Sequence, residues 1–414
     1  MLLAAKLLLL LSAAVGMWFG WSLWVHAVAT AAFLVLVSGV VRGSYRPSFP
    51  EAFGIALALR VLVLPLEPAL SDDIHRYLHE GNLVLNGENP YLIAPADVEP
   101  RLRMPGWDRI NHSHVPAAYP PAVQYGLALA VWIHPAALTM KLLFGTLDLL
   151  TFVVLWSWLG RLGLERARAI VYGYCPLMVL EFAGEGHSDS MAVLFLVLSL
   201  WAFAATRPFW SSAWLGVATA AKLLPAVFLP FVCRQRPAAL VPFVLVLGLL
   251  YAWFIAPGMF AGTAEYGSEW TGNASVFALL HWGSRHLLDW IHVAFDTRLW
   301  NLVYFPHNLA KVPIAVLGLY LLLWGWRHRW PLHQVAANLA VFFVACTPTL
   351  HPWYLALLVP FLCIHPNWGW LLFTGTVFLA HHQPLPWWLT VLEYLPFYAG
   401  FVLSPYCFLS SRRK

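Results

Sequence analysis

The chain has 414 residues, of which 61% are hydrophobic and 10% are charged, and its formal net charge at pH 7 is +5. This composition lies outside the range of soluble globular proteins and indicates a helical membrane protein that crosses the bilayer several times. The basic residues are spread over short clusters between apolar segments, so the positive charge does not indicate a nucleic-acid partner.

The first 48 residues are predicted to form a helical hairpin. Residues 1–21 resemble a signal peptide, because Lys6 precedes a leucine run. However, a second apolar segment at residues 23–41 follows without a persuasive cleavage site, which favours a retained hairpin. A third apolar segment, residues 52–66, then leads to an acidic pair.

Lysine and arginine residues determine the predicted orientation. Most of them cluster between apolar segments, and the positive-inside rule places these clusters in the cytoplasm. Residues 122–134 are too short to span a bilayer and are predicted to be interfacial or re-entrant. Lys222 is predicted near the outer tip of two re-entrant half-helices, where irregular backbone lines a cavity. The sequence thus predicts one all-α domain, residues 1–414, with about twelve transmembrane helices. The protein is expected in the inner membrane, with both termini in the cytoplasm.

Asp72 and Asp73 are the strongest candidates for chemistry. Ionisable groups next to a bilayer are costly and usually mark a functional site. The structural alternative is helix capping, because an N-cap Asp accepts backbone N–H bonds. One carboxylate is expected to cap the helix that follows, and the other is then free to act as a general base. The pair opens a predicted outer loop, residues 71–118, and a second outer loop is predicted at residues 257–304.

Glu185, His187 and Asp189 follow one another at spacing two at the end of an apolar segment. This is a weak signal for zinc, which prefers cysteine and histidine ligands. Hydrogen bonding to sugar hydroxyls and simple solvation of a loop are the other interpretations. No metal site is predicted from these residues.

Three further residues are candidates for contact with an anion. Lys222 stands at a helix break and needs either a protein carboxylate or a lipid phosphate as its partner. Arg285 is a second phosphate candidate, and its alternative is snorkelling to lipid headgroups. His351 is either a residue of the interfacial aromatic belt or a group that orients a carboxylate or a phosphate.

Taken together, these motifs resemble the integral-membrane GT-C glycosyltransferases. Among them the nearest resemblance is to polyprenyl-phosphate-mannose-dependent mannosyltransferases of bacteria, and a more distant one is to the enzyme that adds the first mannose of GPI anchors. The resemblance extends from about residue 71 to 355 and is carried by short motifs: Asp72-Asp73-x-x-x-Tyr77, Gly87-x-Asn89-Pro90-Tyr91, Tyr119-Pro120-Pro121, Gly186-His187-x-Asp189, Lys222-x-x-Pro225, Asn273-Ala274-Ser275 and His351-Pro352-Trp353-Tyr354-Leu355.

The resemblance implies a GT-C-like helical bundle that transfers a hexose, expected to be mannose, from a polyprenyl-phosphate donor to a lipid or glycan acceptor on the outer face. Asp73 matches the position of the base, Asp72 is its neighbour, and His351 matches a late histidine of the site. Donor-phosphate contacts are expected from Lys222, Arg285 and Arg76. Sugar or acceptor contacts are expected from Glu185, His187, Asp189, Tyr77, Asn89, Tyr91, Tyr119, Asn273, Trp353 and Tyr354.

The chain departs from the pattern of this superfamily at two places. Two extra helices precede the acidic loop, and His79-Glu80-Gly81 stands where an aromatic residue, an acid and a glycine are common. These departures leave the identity of the acceptor open.

No cofactor is expected, because a single general base needs no metal and the chain lacks a glycine-rich phosphate loop. A divalent cation is nevertheless compatible with two adjacent acids. The rival functions are a proton- or ion-coupled secondary transporter and a polyprenyl-linked glycan flippase or polymerase. The absence of a clear internal repeat and the position of the acids in a long outer loop favour the transferase.

Overall fold

The computed structural model describes residues 1–295, 306–382 and 384–403. In this part of the chain the structure is helical, and the only β-type pairing is an isolated parallel bridge between Gly272 and Thr349. The predicted all-α class is confirmed. Residues 296–304 of the predicted second outer loop and the basic tail at 412–414 lie outside the described residues.

The helices up to residue 251 are α1 (Leu2–Phe19), α2 (Leu23–Val41), α3 (Phe49–Val63), α4 (Asp73–Leu85), α5 (Pro121–Ile133), α6 (Ala137–Arg161), α7 (Ile170–Gly173), α8 (Pro176–Val179), α9 (Asp189–Ala204), α10 (Pro208–Ala221), α11 (Leu229–Gln235) and α12 (Leu240–Tyr251). A π-helical turn, Leu180–Gly184, joins α8 to the turn before α9. Helices α1 and α2 pack against each other, and α3 packs on α1.

The later helices are α13 (Ala261–Glu269), α14 (Val276–Phe295), α15 (Pro306–Arg327), α16 (Leu332–Cys346), α17 (Val359–Ile364), α18 (Trp368–Thr376) and α19 (Trp387–Leu403). Short 3-10 helices precede α17 and follow α18. Within the described residues, the predicted second outer loop therefore consists mainly of α13 and α14.

Several helices have the length and composition of membrane spans. In the described part of the chain, four are long and apolar enough to cross a bilayer, namely α1, α2, α6 and α15. Shorter apolar helices, such as α5, α9 and α16, accompany them. The chain is thus a membrane protein, as predicted. The predicted number of twelve transmembrane helices is not confirmed.

Helix α4 carries the acidic pair and packs by one face. Ile74, Tyr77 and Leu78 recur at helical spacing and are buried against α5 and α6. Gly81 continues this face, and a Cβ atom there would lie 2.6 Å from the carbonyl oxygen of Leu127 in α5. Since any side chain at this position would separate the two helices, the glycine fixes α4 closely on α5.

The chain breaks at Lys222, where the sequence predicts a helix break. Helix α10 ends at Ala221, the backbone of Lys222 is extended, and a 3-10 helix, Leu224–Phe228, follows with Pro225 near its start. Proline cannot continue an α-helix but is accommodated in its first turn. This 3-10 helix and α11 both pack back on α10, so the chain reverses near Lys222.

A buried ion pair joins α3 to α6. Arg60 Nε donates to Asp148 Oδ2 at 2.7 Å, and Arg60 Nη1 donates to the carbonyl oxygens of Ala56 and Gly173. The Arg60 side chain is 5% exposed and that of Asp148 is fully buried. Charges buried in a bilayer-spanning bundle require such partners. The pair fixes α3, the helix that leads to the acidic pair, against α6.

Candidate active site

A cavity of about 460 Å³ lies beside the first turn of α4. It combines residues that are far apart in the sequence. Nine of the predicted site residues line it: Asp72, Asp73, Arg76, Tyr119, Asp189, Lys222, His351, Trp353 and Tyr354. Residues that sequence reasoning did not select also line it, among them Asn111, His112, Ser188, Tyr266, Trp270 and His381.

Asp73 is held by two tyrosines. The hydroxyls of Tyr119 and Tyr77 lie 3.1 Å and 3.4 Å from Asp73 Oδ2, and the two hydroxyls are 3.2 Å apart. Ser188 Oγ donates to the hydroxyl of Tyr77, which extends the network towards α9. Burial raises the pKa of Asp73, and the adjacent charge of Asp72 raises it further. A fixed carboxylate with a raised pKa suits proton abstraction.

Asp72 has a different environment from Asp73. It occupies the N-cap position of α4, but its side chain makes no capping hydrogen bond. Instead, Asn111 Nδ2 donates to Asp72 Oδ1 at 2.5 Å, and Ser71 Oγ accepts from the backbone N–H of Asp73. The expectation that one carboxylate of the pair caps the helix is therefore wrong. The hydroxyl of Ser71, and not the carboxylate of Asp72, accepts a hydrogen bond from a backbone N–H of the first turn.

Arg76 lines the cavity, but its guanidinium binds the protein itself. It donates to the carbonyl oxygens of Asn111, His112 and Val115 at 2.8–3.0 Å, and it lies 3.5 Å from Glu80 Oε1. These contacts fasten the segment from Asn111 to Val115 onto α4. The hydrogen bonds of Arg76 thus hold a loop in place and do not support its predicted role in phosphate binding.

Lys222 projects from the helix break into the cavity. Its ammonium forms an ion pair with Asp189, the first residue of α9, and lies 4.0 Å from the centroid of the Tyr354 ring. Tyr354 in turn shares a 2.7 Å hydrogen bond with the hydroxyl of Tyr266. Of the two partners expected for Lys222, the protein carboxylate is present in the structure.

A carboxylate missed by sequence reasoning, Glu181, lies between two histidines, one of which, His381, lines the cavity. Glu181 Oε2 is 3.0 Å from His187 Nδ1, and Glu181 Oε1 is 2.7 Å from His381 Nε2. Although burial lowers the pKa of His187, its contact with Glu181 raises that pKa to about 9. An acid inside an apolar run is itself a signal of function in a membrane protein, so Glu181 was detectable from the sequence.

Trp353 is stacked between two imidazoles. The His187 ring lies 3.8 Å from it and the His351 ring 4.4 Å, both nearly parallel to the indole. Burial, with the nearby charges of His187 and Lys222, lowers the pKa of His351 to about 3. His351 is therefore neutral at physiological pH, and its geometry supports a role in positioning Trp353.

Glu185 does not line the cavity. Its carboxylate accepts hydrogen bonds from the backbone N–H groups of Ala69 and Leu70. Lys141 Nζ donates to the carbonyl oxygens of Leu64 and Leu66 a few residues earlier. The segment that leads to the acidic pair is thus bound on both its carbonyl and its N–H groups. The contacts of Glu185 are structural and give no support to the predicted sugar contact.

Asn89 and Tyr91 also lie away from the cavity wall and bind backbone groups. Asn89 Nδ2 donates to the carbonyl of Phe254, and Asn89 Oδ1 accepts from the N–H of Tyr91. The hydroxyl of Tyr91 donates to the carbonyl of Tyr119 at 2.6 Å. Both residues satisfy backbone hydrogen-bonding groups, and Tyr91 also positions Tyr119. These contacts are structural and give no support to the sugar contacts predicted for Asn89 and Tyr91.

Asn273 and Arg285 do not line the cavity either, and the same is true of the predicted sugar contacts Tyr77 and His187. Asn273 Nδ2 donates to Glu393 Oε1 at 2.7 Å and to the carbonyl of Leu350 at 3.2 Å, so it connects the chain before α14 to α19 and to the segment before His351. Arg285 lies on an exposed face of α14. The predicted phosphate contact by Arg285 is not supported, because Arg285 is not among the residues that line the cavity.

Comparison with known proteins identifies one family. Residues 2–236 match the MptA_B family model, which is described as the N-terminal domain of alpha-(1->6)-mannopyranosyltransferase. The matched part is more than half of the chain and contains Asp72, Asp73, Asp189 and Lys222. No curated protein and no solved structure matches the chain significantly.

Proposed function

The chain belongs to this alpha-(1->6)-mannopyranosyltransferase family, and from that membership we propose that it transfers a mannosyl residue from a polyprenyl-phosphate donor to a lipid or glycan acceptor. The observation that carries the proposal is the placement of the Asp73 carboxylate and the Lys222 ammonium on the wall of one cavity. The first can accept a proton from an attacking hydroxyl, and the second can bind a departing phosphate.

The proposed reaction is a single displacement at the anomeric carbon of mannose. The acceptor oxygen attacks this carbon while the bond from the carbon to the phosphate oxygen breaks. The proton of the acceptor hydroxyl passes to Asp73, and the electron pair of the broken bond leaves with polyprenyl phosphate. Because such a displacement inverts the anomeric configuration, an α-linked product requires a β-linked donor. In the family to which this chain belongs, the attacking group would be the 6-hydroxyl of a mannoside.

Tyr119 and Tyr77 support this role of Asp73. Both hydroxyls contact Oδ2, which leaves Oδ1 for the acceptor. The tyrosines restrict the carboxylate to one orientation, and positioning of this kind is a large part of the catalytic effect of a general base.

Lys222 is suited to the leaving phosphate because it stands at the break between α10 and the apolar segment Leu224–Gln235. A lipid phosphate can reach such a position while its polyprenyl chain stays in the bilayer. On donor binding, the ammonium would share its charge between Asp189 and the phosphate. A fixed cation next to a developing anion is among the most effective ways of stabilising a transition state.

The proposed donor is the one that the resemblance to polyprenyl-phosphate-mannose-dependent mannosyltransferases implies. The distribution of lysine and arginine supports an outer location of the cavity by the positive-inside rule. The proposal can be tested with purified protein in lipid vesicles, radiolabelled polyprenyl-phosphate mannose and octyl α-D-mannopyranoside. Labelled dimannoside is the expected product. The absence of transfer to any acceptor, together with substrate-dependent proton flux into the vesicles, would support the secondary transporter instead.

Replacement of Lys222 is expected to weaken the use of the donor. We expect Lys222→Gln to lower kcat/KM for polyprenyl-phosphate mannose about 100-fold, because the leaving phosphate loses its cation. Lys222→Arg should retain most activity, since a guanidinium also binds phosphate. Initial rates at varied donor concentration measure both effects. Arg285→Gln is the matched control, because Arg285 lies away from the cavity, and an equal loss in this variant would exclude a specific role for Lys222.

The plot of kcat/KM against pH is expected to fall on its acid side, and the ionisation of Asp73 is expected to control this acid limb. Only the ionised carboxylate can accept a proton, so activity falls as the pH drops below the pKa of Asp73. Because burial raises that pKa, the limb should lie above about pH 3.9, the value for a free aspartate. Tyr119→Phe removes a hydrogen bond that stabilises the carboxylate and should move the limb to still higher pH. Profiles of kcat/KM test this, with unfolding measured at each pH; an unmoved limb would contradict the assignment.

A further inference from the structure

Two of the aromatic residues in the cavity are not available for stacking on a sugar. Trp353 is only 6% exposed and lies between the rings of His187 and His351. Tyr354 has the ammonium of Lys222 over its ring. The structure therefore gives no support to the carbohydrate contacts predicted for these two residues. A different surface of the cavity is needed to bind the sugar ring of the acceptor.

A different group of aromatic side chains forms the other wall of the cavity. Tyr266 in α13 and Trp270 just after it have ring centroids 4.5 Å apart, and the His112 ring lies 4.0 Å from Trp270. Tyr266 and Trp270 are half-buried and His112 is exposed, so this wall is accessible from the cavity. We call these three residues the aromatic wall. An indole or phenol ring offers an apolar face together with a polar edge, which suits the C–H face and the hydroxyls of a pyranose.

The aromatic wall is connected to the acidic pair through one segment. Asn111 donates to Asp72, and the next residue, His112, contacts Trp270. His112 has φ +44°, a backbone conformation that is uncommon for a residue other than glycine. The guanidinium of Arg76 binds the carbonyls of Asn111 and His112. A ligand on the wall would therefore stand at a fixed position relative to Asp73.

Helix α13 is held against the same segment. Thr263 Oγ1 donates to the carbonyl of Ala118 at 3.0 Å, and a Cβ atom at Gly262 would lie 2.3 Å from the carbonyl oxygen of Pro116. The glycine thus allows α13 to approach the backbone closely. These contacts fix the position of the aromatic wall relative to the rest of the cavity.

We propose that Tyr266, Trp270 and His112 form the acceptor subsite, on which the pyranose ring of a mannoside stacks and presents its hydroxyl to Asp73. The inference rests on the proposed function and deepens it, because it assigns the two substrates to different sides of the cavity. Tyr354 separates these sides: its hydroxyl bonds to Tyr266 and its ring lies under Lys222. The donor phosphate would lie on the Lys222 side and the acceptor on the aromatic wall.

The test compares acceptor and donor kinetics in Trp270 variants. With polyprenyl-phosphate mannose and octyl α-D-mannopyranoside as substrates, Trp270→Leu should raise the KM for the mannoside about tenfold. The KM for the donor and kcat at saturating mannoside should stay within about twofold of wild type. Trp270→Phe keeps an aromatic face and should restore most of the acceptor affinity. Trp282→Leu, on the exposed face of α14 away from the cavity, is the matched control.

Two results would overturn the inference: an unchanged acceptor KM in Trp270→Leu, or an equal rise in the KM of both substrates. Saturation-transfer NMR of octyl α-D-mannopyranoside with wild type and Trp270→Leu separates this inference from the proposed function. If the wild type transfers no mannose, the proposed function fails. Mannoside binding that is lost in Trp270→Leu would still support the subsite, and binding that is equal in both proteins, or undetectable in the wild type, would reject it.

Discussion

Asp73→Asn is expected to lower mannosyl transfer by at least about 10³-fold, which is within the range of general-base catalysis. The amide cannot accept the proton of the acceptor hydroxyl at neutral pH. Its carbonyl oxygen can still accept the hydrogen bonds that Tyr119 and Tyr77 donate to Asp73 Oδ2. Donor binding and the folded structure should therefore stay close to those of wild type. Initial rates, donor binding and thermal unfolding in detergent measure the three properties separately.

Asp72→Asn is the matched control for this prediction. An asparagine at position 72 keeps an oxygen that can accept from Asn111, so its effect on turnover should be much smaller. If both variants instead lose activity and unfold at similarly reduced temperatures, the acidic pair has a structural role and Asp73 is not the base.

Arg60→Leu is expected to destabilise the fold by about 3–5 kcal/mol, because it leaves Asp148 charged and buried without its partner. The double variant Arg60→Leu with Asp148→Leu should recover most of this loss, since it leaves no unpaired charge. The free energy of unfolding can be measured by titration with a denaturing detergent. The prediction concerns stability alone, because neither residue lines the cavity.

An exposed ion pair provides the control for Arg60. Arg101 Nε and Glu99 Oε2 are 2.6 Å apart, close to the 2.7 Å between Arg60 and Asp148, but their side chains are 74% and 65% exposed. Arg101→Leu should change the stability by less than about 1 kcal/mol, as is usual for exposed pairs. A similar loss in Arg60→Leu and Arg101→Leu would show that burial of the Arg60–Asp148 pair has no special importance.

Local signals in the sequence predicted much of this architecture. Apolar runs predicted the helical membrane class, and Pro225 just after Lys222 predicted the break at the end of α10. The short motifs also predicted a resemblance to mannosyltransferases, which the family match confirms. Asp72, Asp73 and Lys222, which these motifs single out, all line the same cavity.

The contacts that local signals could not predict join distant parts of the chain. Glu181 and His381 are 200 residues apart, and Arg60 and Asp148 are 88 residues apart, so no spacing rule reveals either pair. Arg285 was selected for its charge, but its orientation depends on how α14 packs. Asn273 was selected as a sugar contact from the motif Asn273-Ala274-Ser275, yet its amide donates to the carbonyl of Leu350 and to the carboxylate of Glu393.

The cavity is built from both halves of the chain, and the family match ends at residue 236. Asp73 and Lys222 precede that boundary, whereas Tyr266 and Trp270 follow it. The groups proposed for proton transfer and phosphate release thus belong to the matched half, and the proposed acceptor surface belongs mainly to the other. Such a division allows acceptor preference to diverge during evolution while the machinery of bond cleavage is inherited unchanged.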